Sequence, residues 1–183
     1  MIEDGATAGK PPISAPIWER RAISTEELRT EPVQYCWNYW SLLRAGRPYP
    51  RRSEISPREM APILRNVAIF AALENGAQFE PRIIGDFFVH RHGASSDNAL
   101  ESFEQEHPGF SLALRRVFLH VAKSQEPIAL RGSAQLSPDG SPTPWGTLIH
   151  ETLCLPLGEP GVAISHILLC ASESDQHLRK PNS

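Results

Sequence analysis

Few residues in this chain stand at spacings that could do chemistry. His90-Arg91-His92 is an alternating pair that could offer two metal ligands from an extended segment. A helix would turn the two rings roughly 200° apart, and no Cys, Asp or Glu at ligand spacing completes a set. The pair therefore reads as polar surface. Glu151 interrupts an alternating apolar face between Ile149 and Leu153. Two readings stay open for it. A local twist or bulge turns it to water, or it anchors a ligand pocket, where its pKa rises or a cation such as Arg82 or Arg131 meets it across a sheet.

Ser165-His166 lies along one strand, where neighbouring side chains point to opposite faces. There is no Gly-x-Ser-x-Gly elbow and no phosphate-cradling glycine loop. The expected catalytic and metal sets are empty, and no cofactor is required by the sequence. Cys36, Cys154 and Cys170 form neither a CxxC pair nor a disulfide framework. Their odd count and wide spacing suit a reducing compartment, with buried thiols acting as small apolar residues. A hairpin closed at 158–161 would set Cys154 opposite about residue 165, leaving Cys170 out of register for a disulfide.

The elements that must position these residues follow from hydrophobic period. Residues 1–22 are rich in Gly, Pro and Ala and read as a disordered leader, with a helical extension over 23–66. Val33, Cys36, Trp37, Trp40 and Leu43 stand at helical spacing, with Tyr35, Tyr39 and Leu42 on the other side. A helix over 33–45 is thus apolar almost all round and packs between two surfaces. Ser56-Pro57-Arg58-Glu59 predicts a short helix over 57–65. Val67–Leu73, the turn Glu74-Asn75-Gly76-Ala77 and Phe79–Ile84 predict a hairpin, with Pro81 marking an edge or bulged strand. Short helices and loops fill 86–106. Phe110, Leu114, Val117, Phe118 and Val121 form a longer amphipathic helix, with His120 on its flank. Strands over 128–136, 145–157 and 162–171 complete a five-stranded antiparallel α+β sheet with helices on one face. The last strand is apolar on both faces. One face needs a cover, and the helix over 33–45 supplies it, from its own chain or from a second subunit. Residues 173–183 read as a flexible tail.

The composition excludes some functions. The 183 residues carry a formal charge of −3 with both signs spread along the chain, unlike the concentrated basic surface of a nucleic-acid binder. Arg44, Arg47, Arg51 and Arg52 are broken by Gly46, Pro48 and Pro50 and read as a solvated loop. No apolar run reaches the roughly 18 residues of a membrane span, and Met1–Lys10 has no signal-peptide core. A cytoplasmic location is expected.

The element order resembles that of PAS domains. The segments Tyr39-Trp40-Ser41-Leu42-Leu43-Arg44-Ala45-Gly46-Arg47-Pro48-Tyr49-Pro50, Ile55-Ser56-Pro57-Arg58-Glu59-Met60, Leu64-Arg65-Asn66-Val67 and Arg82-Ile83-Ile84-Gly85 resemble a bacterial PAS-like family of alphaproteobacterial type. The likeness runs over about residues 33–172, and the PAS-like domain itself is set at 67–172. It implies a sensory or protein-interaction module that binds small molecules between sheet and helices and dimerises through a preceding helix. Its output then belongs to a signalling partner protein or to its own homodimer. The expected pocket is Phe87, Val117, Val121, Ile149, Glu151 and Leu153. The expected dimer helix presents Trp37, Tyr39, Trp40 and Leu43. The alternatives are a small enzyme using Glu151 or a histidine as general acid or base, and a haem-binding PAS sensor using His120. No flavin-adduct Asn-Cys-Arg motif surrounds any cysteine.

Overall fold

The computed structural model of the chain describes residues 19–92, 108–135 and 147–176. Among them the order is β1 (Glu19–Ile23), α1 (Glu31–Arg44), β2 (Val67–Leu73), β3 (Gln78–Ile84), α2 (Asp86–His92), α3 (Pro108–Ser124), β4 (Ile128–Gln135), β5 (Thr147–Leu157) and β6 (His166–Gln176). The strands form one antiparallel sheet, β1-β4-β5-β6-β2-β3.

That is six strands where five were expected. Residues 19–22 join the sheet rather than a leader, with Ala22 opposite Leu130 on β4. Only Ala22 and Ile23 of the strand are apolar, so a solvated edge leaves no period-two pattern to read. At the other edge Pro81 sits on β3, beside a register shift between Ile69 and Phe70. An edge position costs proline no ladder hydrogen bond. The helix expected over 57–65 is a turn followed by a 3-10 helix at Ala61–Asn66. Pro62 has no N–H and would clash with an α-helical carbonyl one turn back. The last strand also starts later than expected. The chain turns through Gly161 at φ 82, Val162 is exposed, and pairing begins at His166 and runs past residue 172. Trp145 and the turn expected at Ser137-Pro138-Asp139-Gly140 lie outside the described residues.

Paired residues on neighbouring strands share a face, and successive residues alternate. Ile149, Glu151, Leu153, Leu155 and Leu157 therefore point one way, with Ser172, Cys170 and Leu168 beside them. His150, Thr152, Cys154 and Pro156 point the other way, with Glu173, Leu169, Ile167 and Phe70. α3 lies on this second face, where Phe118 packs against Phe70 at 4.8 Å and Phe79 at 5.2 Å between ring centroids. Two glycines set the approach of these helices. A Cβ on Gly76 would lie 2.8 Å from that of Ala122 on α3, and one on Gly85 would lie 2.5 Å from the carbonyl oxygens of Leu64 and Arg65.

α1 covers the first face in its own chain. Val33, Cys36 and Trp40 are fully buried, and the Cys170 thiol reaches the Pro32 carbonyl. Pro156 explains one fixed point. β4 pairing ends opposite Cys154, so beyond it β5 has a neighbour on one side only. The Leu157 carbonyl accepts from the Ser165 amide on the β6 side, so the Pro156 carbonyl faces the vacated side. A proline loses nothing there, and the Trp40 indole N–H fills the orphaned carbonyl at 3.0 Å. The C-terminal end is held by Arg47, which donates to the Leu43 and Arg44 carbonyls and forks onto both Glu54 oxygens. That arginine is a clasp, not part of a solvated loop.

Trp40→Phe keeps an aromatic ring in place but strands the Pro156 carbonyl. It is expected to lower unfolding free energy by roughly 1–3 kcal/mol, read by urea denaturation; an unchanged midpoint would contradict this role.

Candidate functional site

The central strand β5 carries a polar group on each face. On the α1 face Glu151 is fully buried. The segment entering α1 wraps its carboxylate. Oε1 accepts from the Arg29 amide at 3.1 Å, and Oε2 accepts from the Arg29 amide at 2.9 Å, the Thr30 amide at 2.8 Å and the Thr30 hydroxyl at 2.9 Å. Arg131, directly opposite on β4, donates Nε and Nη2 to Oε1 at 2.9 and 2.7 Å. The same guanidinium reaches the Glu27 carbonyl. Thr30 is the residue at the helix N-cap, and its side chain makes no capping bond within the helix. Glu151 thus places a carboxylate at the positive end of α1, the sign a helix N-terminus favours.

Burial pushes the Glu151 carboxyl up. The donors from Thr30, Arg29 and Arg131 outweigh it, so its pKa stands below the usual carboxylate range. Neither earlier reading holds as stated. Glu151 does not turn to water, because a cation and backbone amides replace hydration inside the fold. It does not face a pocket either, because α1 fills that side. Arg131 is the cation, while Arg82 pairs with Glu80 at the surface, both half-exposed.

On the opposite face His150 bridges two neighbours. Its Nδ1 lies 3.3 Å from Glu173 Oε1 and its Nε2 lies 2.9 Å from Thr152 Oγ1. In the neutral ring with Glu173 ionised, Nδ1 carries the proton and Nε2 accepts from the hydroxyl. Phe87 of α2 stacks on the imidazole, 6.2 Å between centroids and 29° between planes. Phe88 packs edge-on to Phe87. This makes a polar trio on a face otherwise lined by Cys154, Leu169, Ile167, Phe70 and Phe118. It can orient a hydrogen-bonding group while the aromatic and aliphatic side chains exclude water.

The expected pocket is therefore split. Phe87, Val117 and Val121 belong to the helices α2 and α3, and Val121 is fully buried one turn from Phe118. Ile149, Glu151 and Leu153 stand behind the sheet, against α1. A one-residue shift along β5, to His150 and Thr152, changes the face. The alternation His150, Thr152, Cys154 stands in the sequence, but the apolar residues of the other parity carry the stronger period-two signal.

Trp40 is core, and the partly buried Trp37 stacks on it at 5.5 Å. Tyr39 accepts from the Ser56 amide and approaches Glu59, and Leu43 packs on the core. The exposed stripe of α1 is instead Tyr35 and Leu42, the latter 80% exposed. His90 and His92 fall on α2 rather than an extended segment, and His90 is exposed. Among the described residues no three His, Cys, Asp or Glu converge as a metal cluster. His120 is exposed on α3, away from Phe118 and Val121. Ser165 precedes the strand and lies 3.0 Å from His166 Nδ1, not on an opposite face. Its hydroxyl donates to the Leu157 carbonyl, so it accepts from the ring and is no activated nucleophile. Cys154 and Cys170 are free and nearly in register, each opposite the other's neighbour, but on opposite faces. Alternation, not register, keeps them apart.

A single antiparallel sheet with helices on both faces and polar groups beneath them defines an α+β domain. The PAS domain family matches residues 28–159, more than half of the chain, and the chain belongs to that family. PAS domains are sensory and regulatory modules. Neither a curated protein nor a solved structure matches the chain significantly. Among the described residues no helix is long and apolar enough to cross a membrane.

The depressed Glu151 pKa gives a pH dependence with a defined sign. The anchor's stabilisation is fully present above the unfolded-chain value near ~4.3 and is lost as pH falls through the lower folded value. Glu151→Gln leaves Arg131 buried without its charge partner, a loss of roughly 3–5 kcal/mol at neutral pH. Chemical denaturation across pH should show the gap between wild type and variant constant above about pH 5 and closing below about pH 4; a gap independent of pH would refute the anchor.

Proposed function

We propose that this chain is a PAS-type sensory module of bacterial origin that acts in the cytoplasm by ligand-modulated protein–protein interaction or homodimerisation. The single observation that carries the reading is the His150–Thr152–Glu173 trio, set into the apolar sheet face and stacked by Phe87 of α2. His150 is buried there and Thr152 and Glu173 are partly buried beside it, so hydrogen-bonding groups stand within an apolar surface. A small molecule with a polar group and an apolar body fits such a surface. The output side of the reading is α1, whose inner face is spent on the sheet and whose outer stripe presents Tyr35 and Leu42. A homodimer or a signalling partner docks on that stripe. The three free thiols support a reducing location.

Native mass spectrometry of the purified full chain reads both halves together. The expected result is a noncovalent dimer holding a small molecule, with His150→Ala losing the molecule and shifting the subunit ratio. A bare monomer, or a subunit count indifferent to ligand loss, would overturn the proposal.

A further inference from the structure

Two cysteines from distant parts of the chain meet beneath α1. Cys36 and Cys170 are both fully buried. Cys170 stands on the α1 face of β6, opposite Leu153 on one side and Val67 on the other. Its thiol donates to the Pro32 carbonyl at 3.6 Å. In the ladder of α1 that carbonyl is the acceptor for the Cys36 amide, four residues on. Helical side chains lean back toward the N-terminus, over the preceding turn. The Cys36 side chain therefore leans over the same turn that the Cys170 thiol meets, and both are fully buried there. Cys154 points to the other face, beside Leu169, and cannot join them.

We infer that Cys36 and Cys170 are a dithiol that a peroxide converts to a disulfide, bolting α1 to the centre of the sheet. A peroxide first oxidises one thiol to a sulfenic acid and leaves as water. The second thiol attacks that sulfur, forms the S–S bond and expels the second water. The balance is two thiols and one hydrogen peroxide giving one disulfide and two waters. A small dithiol reverses it. Both thiols are buried, and burial pushes the Cys170 thiol up, so neither reacts while α1 is seated. The first step waits for α1 to lift by local opening, and reseating brings the pair together for the second. Oxidation thus records how often the helix opens and then prevents it from opening again. This goes beyond the ligand-sensing proposal and stands without it.

The test is to expose the folded full chain to hydrogen peroxide, then map its peptides without reduction. The expected product is a monomeric chain, lighter by two hydrogens, with Cys36 and Cys170 in one linked peptide pair. Its Tm should rise by about 10 °C, because the link closes a long loop of the unfolded chain, and dithiothreitol should restore the original value. Cys154→Ser should still form the link, while Cys36→Ser and Cys170→Ser should not. If a serine variant fails to fold, the wild-type peptide map decides alone. Both thiols staying reduced under conditions that oxidise the urea-unfolded chain would overturn the inference. A bridge to Cys154 or between chains would do the same.

Discussion

A carboxylate removed from water at the middle of a sheet is among the most expensive groups a fold can carry, and everything around Glu151 answers that cost. Arg131 supplies the opposite charge from the next strand, and the chain entering α1 supplies two amides and a hydroxyl. A pair this deeply buried adds little net stability over an apolar substitute. Its consequence is positional. Only one placement of residues 29–30 satisfies the carboxylate, so the start of α1 is fixed in direction and register against β5. Trp40 on the Pro156 carbonyl fixes the helix again ten residues on.

That constraint divides the molecule into two sides with different work. The face under α1 is closed by aliphatic residues, the Glu151 anchor and two thiols. The face under α2 and α3 has the polar trio and its aromatic lid. β5 separates them by the thickness of one backbone, and adjacent residues, His150 and Glu151, belong to opposite sides. A displacement of β5 at His150 is also a displacement at Glu151, and so at the N-cap of α1 that Glu151 holds.

Much of this was legible in the residues. The helix apolar on nearly every side and the last strand apolar on both faces each called for the other, and they pack together. Pro81 announced an edge, and the hairpin around Asn75-Gly76 closed as its turn chemistry required. What stayed hidden had physical reasons. β1 is a polar edge strand and shows no alternation. Half the hydrogen bonds to Glu151 come from backbone amides, which every residue carries and no sequence displays. Its parity also made it look like part of a pocket, although parity says only which residues share a face, never which face a ligand uses. His150 and Thr152 carry no sequence signal of their own, because their shielding depends on Glu173, in a segment whose polar composition resembles a tail.

Amide hydrogen exchange at Arg29 and Thr30, followed by NMR on the full chain, tests the central claim most directly. Two backbone N–H groups in a connecting segment, outside any helix or strand ladder, have no reason to be protected unless a buried carboxylate holds them. The account predicts exchange far slower than that of an exposed turn amide, reached only when the segment entering α1 lifts off Glu151. Exchange as fast as that of an exposed turn amide such as Glu26 would contradict it.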